Sequence, residues 1–157
     1  MMLDIESKER NLLGLRIHSF NLHELINLLE FKMASFEPTI IYGFSANIYS
    51  RLRKTPEFVQ FFCRMDIIIP DGQGVTILAK LFNVDIKERV GIVNLANHLL
   101  KIANAKNYKV FLLGATEEIN KAACANIIRN FPGIKDCVGR NGYFNPEEEK
   151  TVVEAIK

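Results

Sequence analysis

The stretch IIIPDGQGVTIL, residues 67–78, decides the fold. Its opening residues are β-branched and apolar up to a proline, which reads as a buried strand, and GVTILAKLF (74–82) restarts as a helix. Between the two stands Asp71, followed by Gly72 and Gly74. Glycines at such a corner supply a positive φ or let backbone come close to another group. The carboxylate has two uses there. It can take an orphan N–H at the start of the helix, or accept a proton from a bound hydroxyl. The local pattern leaves both open.

Working outward, short apolar runs alternate with longer amphipathic ones. LLGLRIH (12–18), TIIYGFSA (39–46), DIIIP (66–70), KVFLLG (109–114, a buried run) and IKDCVG (134–139) read as strands. NLHELINLLEFKMASF (21–36), the two halves of NIYSRLRKTPEFVQFFCRM (47–65) around Pro56, LANHLLKIANAKN (95–107) and EEINKAACANIIRNF (117–131) read as helices. NPEEEKTVVEAIK (145–157) opens a last helix with Asn145 as its cap, Pro146 at its first position and acids in its first turn. Strands separated by helices imply parallel pairing through crossovers. The expected fold class is therefore α/β, a Rossmann-like three-layer sandwich with a mostly parallel sheet, in a single domain over 1–157. No strand follows the last helix, so the chain reads as a shortened form of a longer one. Sheets of this kind bind ligands at the carboxyl ends of their strands. Four such ends deserve notice: FSAN (44–47), PDGQG (70–74), LLGAT (112–116) and GRNGYF (139–144).

Composition narrows the choices. A formal charge of +2, with 48% hydrophobic and 24% charged residues, is that of an ordinary globular chain with no general pull toward nucleic acid. Cys63, Cys124 and Cys137 are odd in number and form no C-x-x-C pair, which fits reduced thiols in a cytoplasmic chain. The beginning MMLDIESKER is charged, and no run of 18 apolar residues occurs, so neither a signal peptide nor a membrane span is expected. His18, His23 and His98 lack metal-ligand spacing and read as surface or helix residues. No D-x-D pair is present, so the anticipated site is metal-free and without a cofactor. A G-x-S-x-G elbow and a P-loop are also missing. A dinucleotide fingerprint fails at Ile77, where it needs glycine or alanine, which counts against a nicotinamide-dependent oxidoreductase.

The remaining corners carry paired readings. Ser45 and Asn47 bring a hydroxyl and an amide to a strand end; either is a turn former by itself. If the two strands pair, Asn47 and Asp71 could hold one hydroxyl by a donated and an accepted hydrogen bond. KERVG (87–91) is either a solvated salt-bridge patch or the place where Arg89 holds a diphosphate. Gly114 and Ala115 form a turn into a capped helix, which is also an anion site. Tyr143 and Phe144 are satellite core or a surface for stacking on a base.

Taken in order, FSAN, DIIIPDGQGV, ERV, KVFLLGAT and NFPGIKDCVGRNGYF resemble the WecG/TagA/CpsF family of bacterial glycosyltransferases, from about Leu12 to Lys157. The resemblance implies an inverting transferase that moves an N-acetylmannosamine-type sugar from a UDP-sugar to polyprenyl-diphosphate-linked N-acetylglucosamine. Its product would feed teichoic acid, common antigen or capsule synthesis at the inner face of the cytoplasmic membrane. It implies Asp71 as the general base and places the family's T-x-N tip on Ser45 and Asn47. It also puts Arg89 at the diphosphate, and Gly72, Gly74, Gly114, Ala115 and Tyr143 among the substrate contacts. Serine replaces the family's threonine at position 45, and Asn94 stands where an acid is common. Family members continue into a basic carboxyl-terminal appendage that docks at the membrane. For this chain the expectation is peripheral membrane attachment through the lipid substrate, with self-association through exposed apolar surface. The alternative from another class is a noncatalytic UDP-sugar-binding or assembly module.

Overall fold

The computed structural model describes residues 4–156, apart from the side chains of Arg53 and Pro56. The start of the MMLDIESKER segment and the final Lys157 of the last helix lie outside the described residues. The chain divides into two compact units, one up to Asn97 and one from His98.

The first unit contains β1 (Glu9–Leu12), β2 (Leu15–His18), α1 (Leu22–Ala34), β3 (Ile41–Phe44), α2 (Ala46–Lys54), α3 (Pro56–Cys63), β4 (Ile67–Pro70) and α4 (Gln73–Leu81). Helix α5 (Ile92–Lys106) begins in it and ends in the second unit. β3 and β4 pair in parallel, with Ile41 opposite Ile67 and Phe44 opposite Pro70. Two helices make the crossover between them, as the sequence pattern predicts. The fold class is α/β, with the parallel strand pairs of a Rossmann-like chain.

The stretch LLGLRIH is not one strand. It holds a hairpin turn, and β1 and β2 pair antiparallel with Leu12 opposite Leu15. Leu13 (φ 55°) and Gly14 (φ 83°) make the two-residue turn, and Asn11 Oδ1 accepts the Gly14 N–H at 2.9 Å. Two positive φ values suit the twist of a hairpin. Leucine rarely takes one, so the pattern hid the turn.

Strand β4 forms the centre of this unit. Ile67, Ile68 and Ile69 are wholly buried, as expected of a strand covered on both faces. Ile68 joins Leu12, Ile17, Phe44, Leu52, Phe62, Met65, Val75 and Ala79 in one core. Fully burying an isoleucine side chain is worth about 1.5–3 kcal/mol. β2 lies beside β4, but a side chain links them: the Ile68 N–H donates to Nδ1 of His18 at 3.0 Å. His18 is therefore a buried strand residue, which corrects the surface-or-helix reading.

Accepting at Nδ1 requires a lone pair there, so the neutral ring carries its proton on Nε2. Nε2 has no hydrogen-bond partner among the described residues and lies 3.7 Å from Glu9 Oε1. Burial pushes the His18 pKa below 6.5, and the charge of Arg16 adds to the effect while Glu9 opposes it.

Helix α1 starts in a capping box. Asn21 Oδ1 accepts the Glu24 N–H at 2.8 Å, and Glu24 Oε2 accepts the Asn21 N–H at 3.0 Å. The other oxygen of Glu24 takes both Lys8 and Lys87 at 2.8 Å. Hydrogen bonds from these two lysines and from the Asn21 amide hold the Glu24 carboxyl at about 2.

The second unit pairs β5 (Lys109–Leu113) with β6 (Asp136–Arg140) in parallel across α6 (Glu117–Asn130). A 3-10 turn at Pro146–Glu148 leads into α7 (Glu149–Ile156), and Asn145 and Glu148 form the expected cap as a capping box. β5 corrects the buried-strand reading of KVFLLG: its residues are half-buried or exposed, with Leu113 47% accessible. A single helix does not cover both faces of two strands.

Asn120 on α6 is buried and aims Nδ2 at three carbonyls, those of Leu112, Gly114 and Arg140, each at 3.1 Å. A Cβ on Gly139 would overlap Asn120 Oδ1 and stand 2.7 Å from Cys124 Sγ. The fold also brings Cys124 and Cys137 together, though both thiols are free. Burial, and then the neighbouring Cys124 thiol, push the Cys137 thiol up to about 11.

Two outcomes follow from this packing. Gly139→Ala should destabilise the chain by at least about 2 kcal/mol in urea unfolding, because Asn120 is held by its carbonyl partners and has no room to yield. Stability should fall with acid in two stages. His18 favours its neutral form when folded, so its contribution is lost as pH falls below 6.5; Glu24 has a lowered pKa, so its contribution is lost as pH falls below 4.5 toward 2. His18→Asn keeps an acceptor for the Ile68 N–H but does not titrate. Unfolding curves of that variant between pH 6.5 and 5 should be flatter than those of the parent.

Candidate active site

β4 ends at Pro70, and the next residue is Asp71, whose N–H donates to Phe44 O at 3.0 Å. The parallel register is thereby extended by one step, and Ser45 falls level with Asp71. The side chain of Asp71 does not cap the helix that follows it. Gly72 is the N-cap of α4, and no side chain bonds there. Oδ1 of Asp71 instead accepts the N–H of Ile92, at 2.9 Å, the first residue of α5. The carboxylate thus meets the orphan donors of a helix 21 residues further along the chain.

The other oxygen, Oδ2, accepts no hydrogen bond among the described residues, and Asp71 is half-buried rather than sealed. It points along the flank of Gly43 in β3, where a Cβ would come 3.3 Å from both Asp71 Cβ and Oδ2. Gly43 is what gives the carboxylate its space. A glycine inside TIIYGFSA was the available signal, since glycine within a strand often marks close approach by another group.

Arg89 stands at the same corner, with Nη1 donating to the Asp71 carbonyl at 3.3 Å and its side chain exposed. The flanking residues combine both readings of KERVG. Lys87 is salt-bridged to Glu24, whereas Arg89 is directed to the strand end.

Gly72 and Gly74 do not supply positive φ; Gly72 lies at φ −93°. Their role is the other one anticipated, close approach. A Cβ on Gly72 would stand 3.5 Å from Ser45 Cβ, and one on Gly74 would stand 3.4 Å from Ala46 Cβ. Ser45 is the N-cap residue of α2 but makes no capping bond, which leaves its hydroxyl uncommitted to that helix. Asn47 sits in the first turn of α2, exposed, two residues beyond the level of Asp71. The strands pair as the Asn47–Asp71 expectation requires.

The second unit holds the other predicted residues at one corner of its own. Gly114 (φ 136°) and Ala115 (φ 56°) turn the chain from β5 toward α6, and Thr116 Oγ1 caps α6 by accepting the Ile119 N–H at 3.4 Å. Gly142 donates its N–H to Ala115 O at 3.0 Å, so the turn and the GYF segment lie together. Tyr143 is 80% exposed, whereas Phe144 lies under the Arg140 guanidinium at 5.9 Å. Tyr143 is thus the aromatic available for stacking.

Chemically, the Asp71 corner offers an acceptor oxygen fixed by one backbone amide, a hydroxyl at its level and a guanidinium beside it. No group of three or more metal-ligating side chains occurs among the described residues.

Known proteins resemble this chain over much of its length. The N-acetylglucosaminyldiphosphoundecaprenol N-acetyl-beta-D-mannosaminyltransferase of Bacillus subtilis (strain 168) is 28% identical over 100 residues, 64% of this chain and 38% of that protein. The protein of the same name from Staphylococcus aureus (strain NCTC 8325 / PS 47) is 33% identical over 100 residues, 64% of this chain and 39% of its own length. The one from Bacillus spizizenii is 29% identical over 96 residues, 61% and 37% respectively. The match thus spans less than two fifths of each of these relatives. Residues 10–157 match a family description as a whole, and the chain belongs to the Glycosyl transferase WecG/TagA/CpsF family.

Proposed function

We propose that this chain carries the acceptor-activating corner of an inverting glycosyltransferase. It would move an N-acetylmannosamine-type sugar from a UDP donor to N-acetylglucosamine on a polyprenyl diphosphate, as a step in cell-surface polysaccharide synthesis. The observation that carries this reading is the Asp71 carboxylate, with Oδ1 on the Ile92 amide and Oδ2 left for a substrate hydroxyl. The names of the relatives, which specify such an acceptor and such a sugar, support it.

In a single displacement the acceptor hydroxyl attacks the anomeric carbon and loses its proton to Asp71 as the bond to the UDP oxygen breaks. One displacement inverts configuration, so one carboxylate suffices. Negative charge grows on the departing diphosphate, and Arg89, held beside Asp71, is the cation proposed to meet it. Ser45 and Asn47 would orient the hydroxyl, while Gly72 and Gly74 keep the floor of the site free of side chains. In the second unit, taken by itself, the Gly114–Ala115 turn and Tyr143 are the proposed substrate contacts. No helix among the described residues is long and apolar enough to cross a membrane, so the membrane contact proposed is peripheral, through the lipid of the acceptor.

The second reading is a module that binds the nucleotide sugar without turning it over. UDP titration beside a transfer assay with UDP-N-acetylmannosamine and a soluble lipid-diphosphate acceptor separates the two. Binding without turnover supports the second.

In that assay Asp71→Asn should lower transfer at least about 100-fold and leave UDP affinity within about twofold. Asparagine still offers an oxygen to the Ile92 amide, so a lost fold would not explain the result. Arg89→Ala should lower kcat about 10- to 100-fold, and the loss should be greater than any change in acceptor KM.

A further inference from the structure

The residues between α4 and α5 have no regular secondary structure, yet they are tied down at both ends of a short span. Lys87 donates its N–H at 2.8 Å to Oγ of Ser19, a wholly buried residue 68 positions earlier. Its Nζ reaches Glu24 Oε1 at 2.8 Å. Glu88 Oε2 accepts the N–H of Leu22 at 2.9 Å, the first residue of α1 and one of that helix's orphan donors. Directly afterwards come Arg89 on the Asp71 carbonyl, Val90 buried, and Ile92 on the Asp71 carboxylate. One end of the strap therefore grips the start of α1, and the other end grips Asp71.

We propose that Ser19 and Glu88 are positioning residues for the reaction. They hold residues 87–92 in register, so that the Ile92 amide and the Arg89 guanidinium meet Asp71. The catalytic part of this inference rests on the reading of Asp71 as the base. The geometric reason is reach. A slip of one residue at Lys87 displaces the following chain by roughly 3.3 Å, which is more than a hydrogen bond tolerates. Ser19 accepts the Lys87 N–H and the next residue, Glu88, accepts the Leu22 N–H; Ser19 and Leu22 both precede β3, so the strap's register is set from outside the strand pair that bears the carboxylate. This also gives the acid of ERV a role distinct from that of its arginine: it binds the start of a helix and not substrate.

The test uses the 157-residue chain with Ser19→Ala, Glu88→Ala and Glu88→Gln. Amide hydrogen exchange, followed by NMR, reads the Ile92 N–H against the Ile68 N–H, which His18 holds independently of the strap. In both alanine variants the Ile92 amide should exchange about tenfold faster or more while Ile68 stays unchanged, and Glu88→Gln, which keeps an acceptor oxygen for Leu22, should return Ile92 to within about twofold of the parent. In the transfer assay the alanine variants should lower kcat about tenfold with the KM for the UDP-sugar unchanged, and Glu88→Gln should restore it. Unchanged exchange at Ile92 in the alanine variants overturns the proposal, as does equal acceleration at Ile92 and Ile68, which would mean general loosening. Faster Ile92 exchange with unaltered kcat overturns the catalytic part alone. Absence of transfer by the parent defeats the functional reading, while the exchange data still decide whether the strap holds Asp71.

Discussion

A strand buried on both faces has no water to serve its backbone, so every amide along it needs a partner inside the protein. β4 is such a strand, and its critical partner is the imidazole of His18, which accepts the Ile68 N–H from the neighbouring β2. A charged group would serve badly here, since burying it without full pairing costs more than the bond returns. Neutral histidine supplies an acceptor at little electrostatic cost. Burial then keeps the ring neutral, and the bond to Ile68 selects its tautomer. The position of Asp71, one residue beyond Pro70, follows from how firmly this strand is held.

The second unit solves a related problem with an amide. Asn120 gathers the carbonyls at the ends of β5 and β6, and Gly139 leaves the room for it to do so. In both units a buried neutral side chain fastens the strands, and the ionised groups remain where solvent reaches them. Glu24 illustrates the latter. It serves a capping box, Lys8 and Lys87 at once, and its carboxyl is held at about 2 because each of those partners favours its charged form.

Asp71 lies between these extremes. Its half-buried carboxylate is anchored at one oxygen by an amide and spaced at the other by the absent side chain of Gly43. A carboxylate with no anchor would lose its orientation. One bond to the Ile92 amide orients it and leaves Oδ2 without a hydrogen bond among the described residues. The same bond satisfies one donor at the start of α5, so Asp71 caps a helix other than the one that follows it, and the proton-accepting role proposed for it falls to the other oxygen.

Much of this was legible in the residues themselves. The IIIP run ending at Asp71, the parallel pairing of β3 with β4, the caps at Thr116 and Asn145, and the turn at Gly114 all follow from periodicity and local hydrogen-bonding rules, because those depend mostly on residues a few positions apart. The hairpin within LLGLRIH, the burial of His18 and the exposure of β5 were not legible, since each depends on what packs against it. The sequence by itself determined that a carboxylate would stand at a strand end among small residues, with a serine at the end of the adjacent strand. Only the tertiary structure decided which helix that carboxylate would cap, and that Ser19 and Glu88, about seventy residues apart, would tie the segment before α5 to the start of α1. Those bonds join chain segments with no common local pattern, and their partners are chosen by the fold of the whole unit.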